Sequence, residues 1–424
     1  MVKKGYKQTE IGVIPEDWDC REINSEIKEI SMGPFGSDIP VSSFTSEGVP
    51  VLNGHSVSKV KLIDTFKNYV SEEKAKTLKK AVAQQGDIIV THRGTIGQIS
   101  YIPIGSRYKK YVISQSQFRV RLNEDSVNPH FVASYFLSPK GQSFLLEKKG
   151  HTGVPALAQP TTNFRKLCIP LPSLPEQDRI VNAFEDIDDL ISSLEKQISK
   201  KKAIKQGAMQ ELLTGKHRLP GFSGEWETRS LHEISNEMVD GPFGSNLKTE
   251  HYTTERQVRI IQLSNIGEAG WNNTNVKYTT FSHAAELQRC IVQPGSILIA
   301  KMMPAGRAII CPDNEKSYIL GSDVVKVVPN SSVDSRYLVY ATKSRFYLDQ
   351  IADDTQGSTR ARTSVSKLRK TAILFPEKDE QIAVADILSE MDMEIAALEG
   401  KIAKYRQIKQ GMMQQLLMGK IRLV

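Results

Sequence analysis

The chain has 424 residues, enough for more than one domain, with 56 basic against 48 acidic side chains, a formal charge of +8 and a pI near 9.0. That modest basic excess is compatible with a polyanionic partner but does not select nucleic acid by itself. Cys20, Cys168, Cys290 and Cys311 are scattered with no C-x-x-C, so neither a disulfide framework nor a zinc knuckle is indicated; no apolar run nears the ~20 residues of a bilayer span and no signal core follows Met-Val-Lys-Lys-Gly, so a cytoplasmic protein is expected.

The first 172 residues read as a lead-in carrying Trp18 and then a globular head. Gly33-Pro-Phe-Gly-Ser37 is a turn by composition, whose glycines either bring backbone N–H groups near a phosphate or serve the turn alone. A helix is expected from Glu72 to Ala81, strands at Ile88–Thr91, Ile99–Ile102 and Phe118–Leu122, and a helix over Phe131–Phe136 opened by the turn Asn128-Pro-His-Phe131. Thr91-His-Arg-Gly-Thr-Ile-Gly97 puts a basic side chain, hydroxyls and glycines at a strand end, where arginine can pair with guanine or hold a phosphate. The polar loops Asn53-Gly-His55 and Ser114-Gln-Ser-Gln117 offer groups that can bond adenine, with ordinary loop solvation as the competing reading. The DNA-contact candidates of this head are Gly33, Phe35, Gly36, Ser37, Asn53, His55, Thr91, His92, Arg93, Thr95, Ser114, Gln115 and Gln117.

Residues 173–215 read as a long helix. Ile180, Phe184, Ile187, Ile191, Leu194 and Ile198 alternate steps of four and three, an a/d seam for knobs-into-holes pairing. Ser173-Leu-Pro-Glu176 has the form of a capping box, and Gly215 stands where a glycine stop is expected. Gly207 inside the pattern costs about 1 kcal/mol relative to alanine, which suggests close approach of a partner helix or another protein. Lys196, Lys200, Lys201, Lys202 and Lys205 offer charge to phosphates or form a solvated face. Residues 176–214 as one helix would span roughly 58 Å at about 1.5 Å per residue, longer than one turn of DNA at about 34–36 Å.

The plan then repeats. Trp18 and Gly33-Pro-Phe-Gly-Ser37 return as Trp226 and Gly241-Pro-Phe-Gly-Ser245, and Glu176-Gln177 returns as Glu380-Gln381. Ile204–Leu219 and Ile408–Leu423 are nearly the same sentence, an internal duplication. Residues 216–376 form a linker and second head, with strands expected at Ser296–Ile299, Ala308–Ile310 and Val324–Val328, a helix at Tyr337–Lys343, and a hairpin turn at Pro312–Lys316. Its candidates are Gly241, Phe243, Gly244, Ser245, Gln262, Asn265, Lys301, Arg307 and Ser322, with Ser358, Arg360 and Arg362 in the loop Gln356–Arg362. Gly295–Gly306 lines up with Gly86–Gly97 mainly at its glycines and apolar run, while Lys301-Met-Met-Pro-Ala-Gly306 differs chemically from Thr91–Gly97, as expected of one scaffold carrying two readers. Residues 377–424 hold the second helix, with seam residues Val384, Leu388, Met391, Ile395, Leu398 and Ile402 and again an interior glycine, Gly411, and a stop, Gly419. Each seam's expected partner is the other, antiparallel within the chain, against a self-dimer as the competing reading. The fold class is therefore α+β: two similar heads, each around a strongly bent sheet, and two long helices paired as an antiparallel intramolecular coiled coil with a pseudo-two-fold repeat.

Catalytic chemistry is absent from the pattern. Asn128-Pro-His-Phe131 lacks the second proline of an adenine methyltransferase tetrad, no G-x-x-x-x-G-K-[ST] loop exists, and the histidines show no metal-ligand spacing. A non-catalytic chain without a metal or cofactor of its own is expected.

The opening Gln8-Thr-Glu-Ile-Gly-Val-Ile-Pro-Glu-Asp-Trp18, the Gly86–Gly97 segment, Leu171-Pro-Ser-Leu-Pro-Glu-Gln177 and Leu212-Leu-Thr-Gly-Lys-His-Arg-Leu-Pro-Gly-Phe222, in that order, resemble the specificity subunit of Type I restriction-modification systems. The resemblance covers the whole chain. It implies two target recognition domains that each read half of a split, asymmetric double-stranded DNA site, with the helices setting the spacer. It further implies two methyltransferase subunits that bind S-adenosylmethionine and modify adenine, and optional restriction subunits that use ATP with Mg, all docked on the helical regions. Lys301-Met-Met-Pro-Ala-Gly306 departs from the family's Arg-Gly-Thr-like loop, which weakens the DNA-contact assignment there. A standalone two-headed DNA-bridging protein or regulator is the alternative.

Overall fold

A computed structural model describes residues 3–147, 149–150, 154–355 and 362–423. The chain divides into two compact units, residues 1–194 with 401–424, and residues 195–400. Each unit holds one head, the start of one 39-residue helix and the end of the other, the helices being Leu174–Leu212 and Lys378–Leu416.

In the first unit an antiparallel sheet runs in the order Ile27–Met32, Gln117–Leu122, Ile88–Thr91, Ile99–Tyr101. Both of its faces are covered, which is why the strand Ile88–Thr91 is apolar without alternation. Ile88 and Val90 point into a core with Phe131, Phe136, Ile180 and Phe184. Ile89 points the other way, into a core with Val51, Val70, Tyr111 and Val112. The helix Pro129–Leu137 is capped as expected by Asn128, whose Oδ1 accepts from the His130 and Phe131 N–H groups.

The second unit repeats the sheet order with Ser235–Asp240, Val324–Pro329, Ile297–Ala300 and Ala308–Ile310. Ile297 and Ile299 pack with Tyr337, Leu338, Val384 and Leu388, while Leu298 and Ala300 face Val258, Ile260 and Ile319 of a separate five-stranded sheet. So the single strongly bent sheet expected of this head is two sheets sharing a core. Pro312–Lys316 is no hairpin turn either, because Ala308–Ile310 and Tyr318–Leu320, which flank it, belong to different sheets.

The helices pair antiparallel in each unit. Asp188 accepts from Lys409 at 2.6 Å in the first, and Asp392 from Lys205 in the second, the same pair 204 residues on. In the second unit Lys201 and Lys202 also meet Glu394 and Glu399 of the opposite helix. Three of the five lysines weighed as phosphate ligands are thus engaged between helices. Ile180, Phe184, Ile187, Ile191, Leu194, Ile198, Val384, Leu388, Ile395 and Ile402 are buried, with Met391 and Leu398 half-buried. Gly207 and Gly411 are exposed, and an added Cβ would meet nothing within 4 Å, so a partner helix in this chain does not explain them.

Glu176 forms no capping box. Its buried carboxylate accepts from Trp18 Nε1 at 3.1 Å and from Arg422 Nε and a second guanidinium N–H at 2.5 and 2.8 Å, while Arg422 also grips Asp17. In the second unit Glu380 accepts from Trp226 at 3.1 Å and Arg218 at 2.7 and 2.8 Å. Each arginine also lies over its tryptophan ring, at 5.5 and 5.8 Å. The helix-stop glycines have φ of +69° and +63° and no room for a side chain: a Cβ at Gly215 would lie 3.1 Å from Trp226, and one at Gly419 2.5 Å from Pro15. The adjacent glutamines are buried and span the same groups: Gln177 accepts from Asn128 N and donates to Ser126 and Pro172 carbonyls, and Gln381 does so with Asp334, Ser332 and Pro376.

Removing the cation from this clasp leaves a buried carboxylate uncompensated, and Arg422→Ala is expected to cost about 3 kcal/mol. A lowered urea midpoint checks it; the double variant Arg422→Met, Glu176→Gln, which removes the charge as well, should recover much of the loss. His130 supplies a second test. It is buried, stacked on Tyr101 at 4.4 Å and 3.3 Å from Glu185, which also binds Lys61. Burial pushes its imidazole from an ordinary 6.5 down to about 4, against the pull of Glu185. Between those values the unfolded chain takes up a proton that the folded chain refuses, so stability falls as pH drops through that window. Urea midpoints at pH 7 and 4.5 should fall less for His130→Phe than for the wild type.

A candidate nucleic-acid interface on each head

The four polar segments singled out in head one converge on the end of its four-stranded sheet. The Gly33 N–H donates to Gln117 O at 2.8 Å, and His92 N to Ser116 O at 2.9 Å. The Gln117 side chain accepts from Ser114 N and donates to Asn53 O, and the Asn53 carboxamide accepts from the His55 and Ser56 N–H groups. Thr95 donates to Gln98, and a Cβ at Gly54 would sit 3.5 Å from the Thr95 hydroxyl. Phe35, Gly36, Ser37, His55, Arg93, Thr95 and Gln115 face solvent; Asn53, His92 and Ser114 are half-buried.

Within this cluster the residues differ in availability. Thr91 and Gln117 are buried and belong to the frame. A Cβ at Gly33 would come within 2.0 Å of Ser114 O and its N–H is already bonded, so this glycine serves close strand approach rather than a phosphate. Burial, with Arg93 alongside, holds the His92 imidazole below its usual range, hence neutral at pH 7. The exposed Arg93 guanidinium pairs with no carboxylate among the described residues.

Head two builds the same frame. Gly306 N donates to Ala300 O as Gly97 N does to Thr91 O, and Lys301 N donates to Asp323 O as His92 N does to Ser116 O. Thr363 N reaches Lys301 O as Leu157 N reaches His92 O. Lys301 thus occupies the place of His92, Met302 that of Arg93, and Met303, at φ +54°, that of Gly94. A Cβ at Gly241 would lie 1.9 Å from Gly321 O, repeating the constraint at Gly33. The side chains diverge. Lys301 is buried and paired with Asp240, and Asn265 is buried with its carboxamide bonded to Gln262 N and to the Asn272 and Thr274 carbonyls. Both leave the DNA-facing set, because every polar group they have is used inside the head. Phe243, Gly244, Ser245 and Arg362 are exposed, the last bonded to Asp323 at 2.7 Å, and Gln262, Arg307 and Ser322 are half-buried. Ser358 and Arg360 lie outside the described residues.

Sequence reasoning missed His283 and His251, whose rings stack at 4.1 Å beside the Phe243 turn, with His283 Nε2 2.9 Å from Asn246 O. No spacing signals that pair, since thirty-two residues separate its members. Among the described residues no group of three or more His, Cys, Asp or Glu is placed to hold a metal, and no helix is long and apolar enough to cross a membrane.

The chain belongs to the family of the Type I restriction modification DNA specificity domain, which matches it twice, over residues 15–205 and 224–407. That family's work is DNA specificity rather than catalysis. Among its relatives are the putative type I restriction enzyme MjaX specificity subunit of Methanocaldococcus jannaschii, 24% identical over 99% of this chain and 97% of that one, and the MjaVIII specificity subunit of the same organism, 25% identical over 82% and 81%. The fold is that of the S subunit from M. genitalium, with a TM-score of 0.57 at 15% identity over 94% of this chain and 96% of the other. The HsdS subunit from Thermoanaerobacter tengcongensis matches with a TM-score of 0.50 at 18% identity over 99% and 100%.

Arg93 and Lys301 now predict opposite phenotypes. Arg93→Ala should leave the urea midpoint unchanged and weaken DNA binding about tenfold, the loss of one good base or phosphate contact. Lys301→Ala should instead lower the midpoint, because Asp240 loses its cation. Denaturation and duplex titration of the two variants side by side check this.

Proposed function

We propose that this chain is the DNA-reading subunit of a Type I restriction-modification complex, that it reads a split, asymmetric site with one half-site per head, and that it carries no catalysis of its own. The observation that carries the reading is one frame built twice with different side chains: the same sheet order and recurring loop bonds hold half-buried His92 and exposed Arg93 in one head, buried Lys301 and half-buried Met302 in the other. Two readers of one half-site would not need different loops. On this reading the recognition domains comprise residues 1–172 and 216–376, the helical regions residues 173–215 and 377–424, and the exposed loop residues named above supply the contacts, phosphate bonds giving affinity and base edges giving sequence.

Enzyme partners are the second half of the proposal. Ile204–Leu219 and Ile408–Leu423 share 12 of 16 residues. Leu212, Leu213, Gly215, Arg218 and their counterparts are accounted for by the cores and clasps, and Lys205 and Lys409 by their ion pairs. Ile204, Gln206, Gly207 and Gln210, and Ile408, Gln410, Gly411 and Gln414, are exposed and have no such account. The same exposed surface kept twice supports docking of the same partner twice, in this reading two methyltransferase subunits, with restriction subunits as optional further members. S-adenosylmethionine, ATP and Mg then belong to those partners, which act on adenines flipped into their own pockets.

Mapping N6-methyladenine across the host genome with the gene intact and deleted tests the function: one split motif should vanish on deletion, and an unchanged methylome speaks for a DNA-bridging role without enzymes. Gly207→Ala and Gly411→Ala test the docking face. Each should raise the stability of the isolated chain by up to about 1 kcal/mol, since the Cβ meets nothing, yet weaken co-purification with the methyltransferase.

A further inference from the structure

Phe35 and Phe243 are 81% and 83% exposed, the largest fractions of any phenylalanine among the described residues, and they hold the same place in the two copies of Gly-Pro-Phe-Gly-Ser. Burying such a ring is stabilising, so leaving it in water twice forgoes stability that a partner can recover. Neither ring is on a loose loop. The preceding glycine is pinned against a neighbouring strand in both heads, the Phe35 N–H donates to Asp38 Oδ2 at 3.1 Å, and the Asn246 N–H closes the second turn on Phe243 O at 2.8 Å. A rigid turn therefore presents each ring outward. Its neighbours are the candidate DNA loops: a Cβ at Gly36 would lie 2.7 Å from the Gln115 side chain, and Gln115 O faces His92.

Around the turns the two heads have exchanged their polar chemistry, yet the rings are unchanged. A residue shared by heads that read different half-sites cannot be what distinguishes those half-sites. We infer that Phe35 and Phe243 are base-independent aromatic wedges, each packing against the base stack of its own half-site and adding affinity without reading sequence. The inference rests on the DNA-reading function proposed above. Apolar side chains of this kind partly unstack a base step wherever they enter, and every base offers a π-face to an aromatic ring. DNA is favoured over a protein partner as the occupant because each ring adjoins polar groups of its own head: the Phe35 turn meets Gln115, whose carbonyl faces His92, and the Phe243 turn is tied through Asn246 to His283.

The test uses the full chain assembled with its methyltransferase subunits, and variants Phe35→Ala, Phe243→Ala, Phe35→Leu and Phe243→Leu. Binding is titrated on a duplex carrying the mapped motif and on one lacking it; assembly is followed by size-exclusion chromatography and the motif by methylome mapping. Each alanine variant should lose about tenfold in affinity, the typical worth of one aromatic–base stack, by the same factor on both duplexes. Motif and assembly should stay unchanged, and leucine should recover part of the loss. Unchanged affinity on both duplexes overturns the inference. So does impaired assembly with normal DNA binding, which would place the rings on a protein, or relaxation of one half-site in the methylome, which would make them base readers. If the wild-type complex itself binds neither duplex and marks no motif, the DNA-reading function fails instead, a result distinct from any of these.

Discussion

Each half of the molecule hangs on one buried carboxylate. Glu176 and Glu380 stand in the first turn of a long helix, out of water, and a charge there is tolerable only if its oxygens are fully bonded to cations and N–H donors. The bonds come from sequence-distant places: a tryptophan from the lead-in and an arginine from the segment that follows the end of the opposite helix. One interaction thereby fixes where the head begins, where its helix begins and where the antiparallel helix must end. The glycines of the Gly-Lys-x-Arg-Leu segments follow from it, since only a residue without a side chain lets the chain turn against the tryptophan or the proline beside it.

That constraint also sorts the sequence. What recurs in both halves is mostly what the clasp and its surroundings use: Trp18 and Trp226, the Glu-Gln pairs, the stop glycines and the arginines. What has diverged lies on the strand ends. Four backbone hydrogen bonds around Thr91–Gly97 recur around Ala300–Gly306, whereas Arg93, exposed and unpaired with any carboxylate among the described residues, corresponds to a methionine, and neutral His92 to a buried lysine neutralised by Asp240. A frame held by main-chain bonds tolerates such exchange because none of those bonds depends on the side chain carried.

The repeat, the seams and the strand positions were legible because each leaves a periodic or duplicated trace, and burial of Ile180, Phe184, Val384 and Leu388 follows directly from the 3.5-residue spacing. The clasp was not legible. Ser173-Leu-Pro-Glu176 satisfies the local pattern of a capping box, and nothing local says that the carboxylate has a tryptophan and an arginine waiting from elsewhere in the chain. The site failed in the same way at several residues: Thr91 and Gln117 are buried in the frame of head one, and two more turn inward in head two. Lys301 and Asn265 are polar side chains near strand ends, indistinguishable in sequence from Arg93 and Asn53, and only tertiary placement of Asp240 and of the Asn272–Thr274 carbonyls turns them inward. The glycines of the two Gly-Pro-Phe-Gly-Ser turns were seen as special, but whether for phosphate or for packing depended on a carbonyl about 80 residues away.

Affinity and specificity are separable in a molecule built this way. Anything common to both heads, in backbone or side chain, cannot be what distinguishes one half-site from the other. Discrimination has to come from groups present in one head and absent from the other, and the exposed members of that set are few. It follows that the two heads need not discriminate equally. Head one keeps at the strand end a guanidinium that pairs with no carboxylate among the described residues, whereas in head two the corresponding position is methionine and Arg362 nearby is already bonded to Asp323. A guanidinium that must first leave a carboxylate gives up part of what it gains from a base, so a contact by Arg362 would be weaker than one by Arg93 for the same geometry.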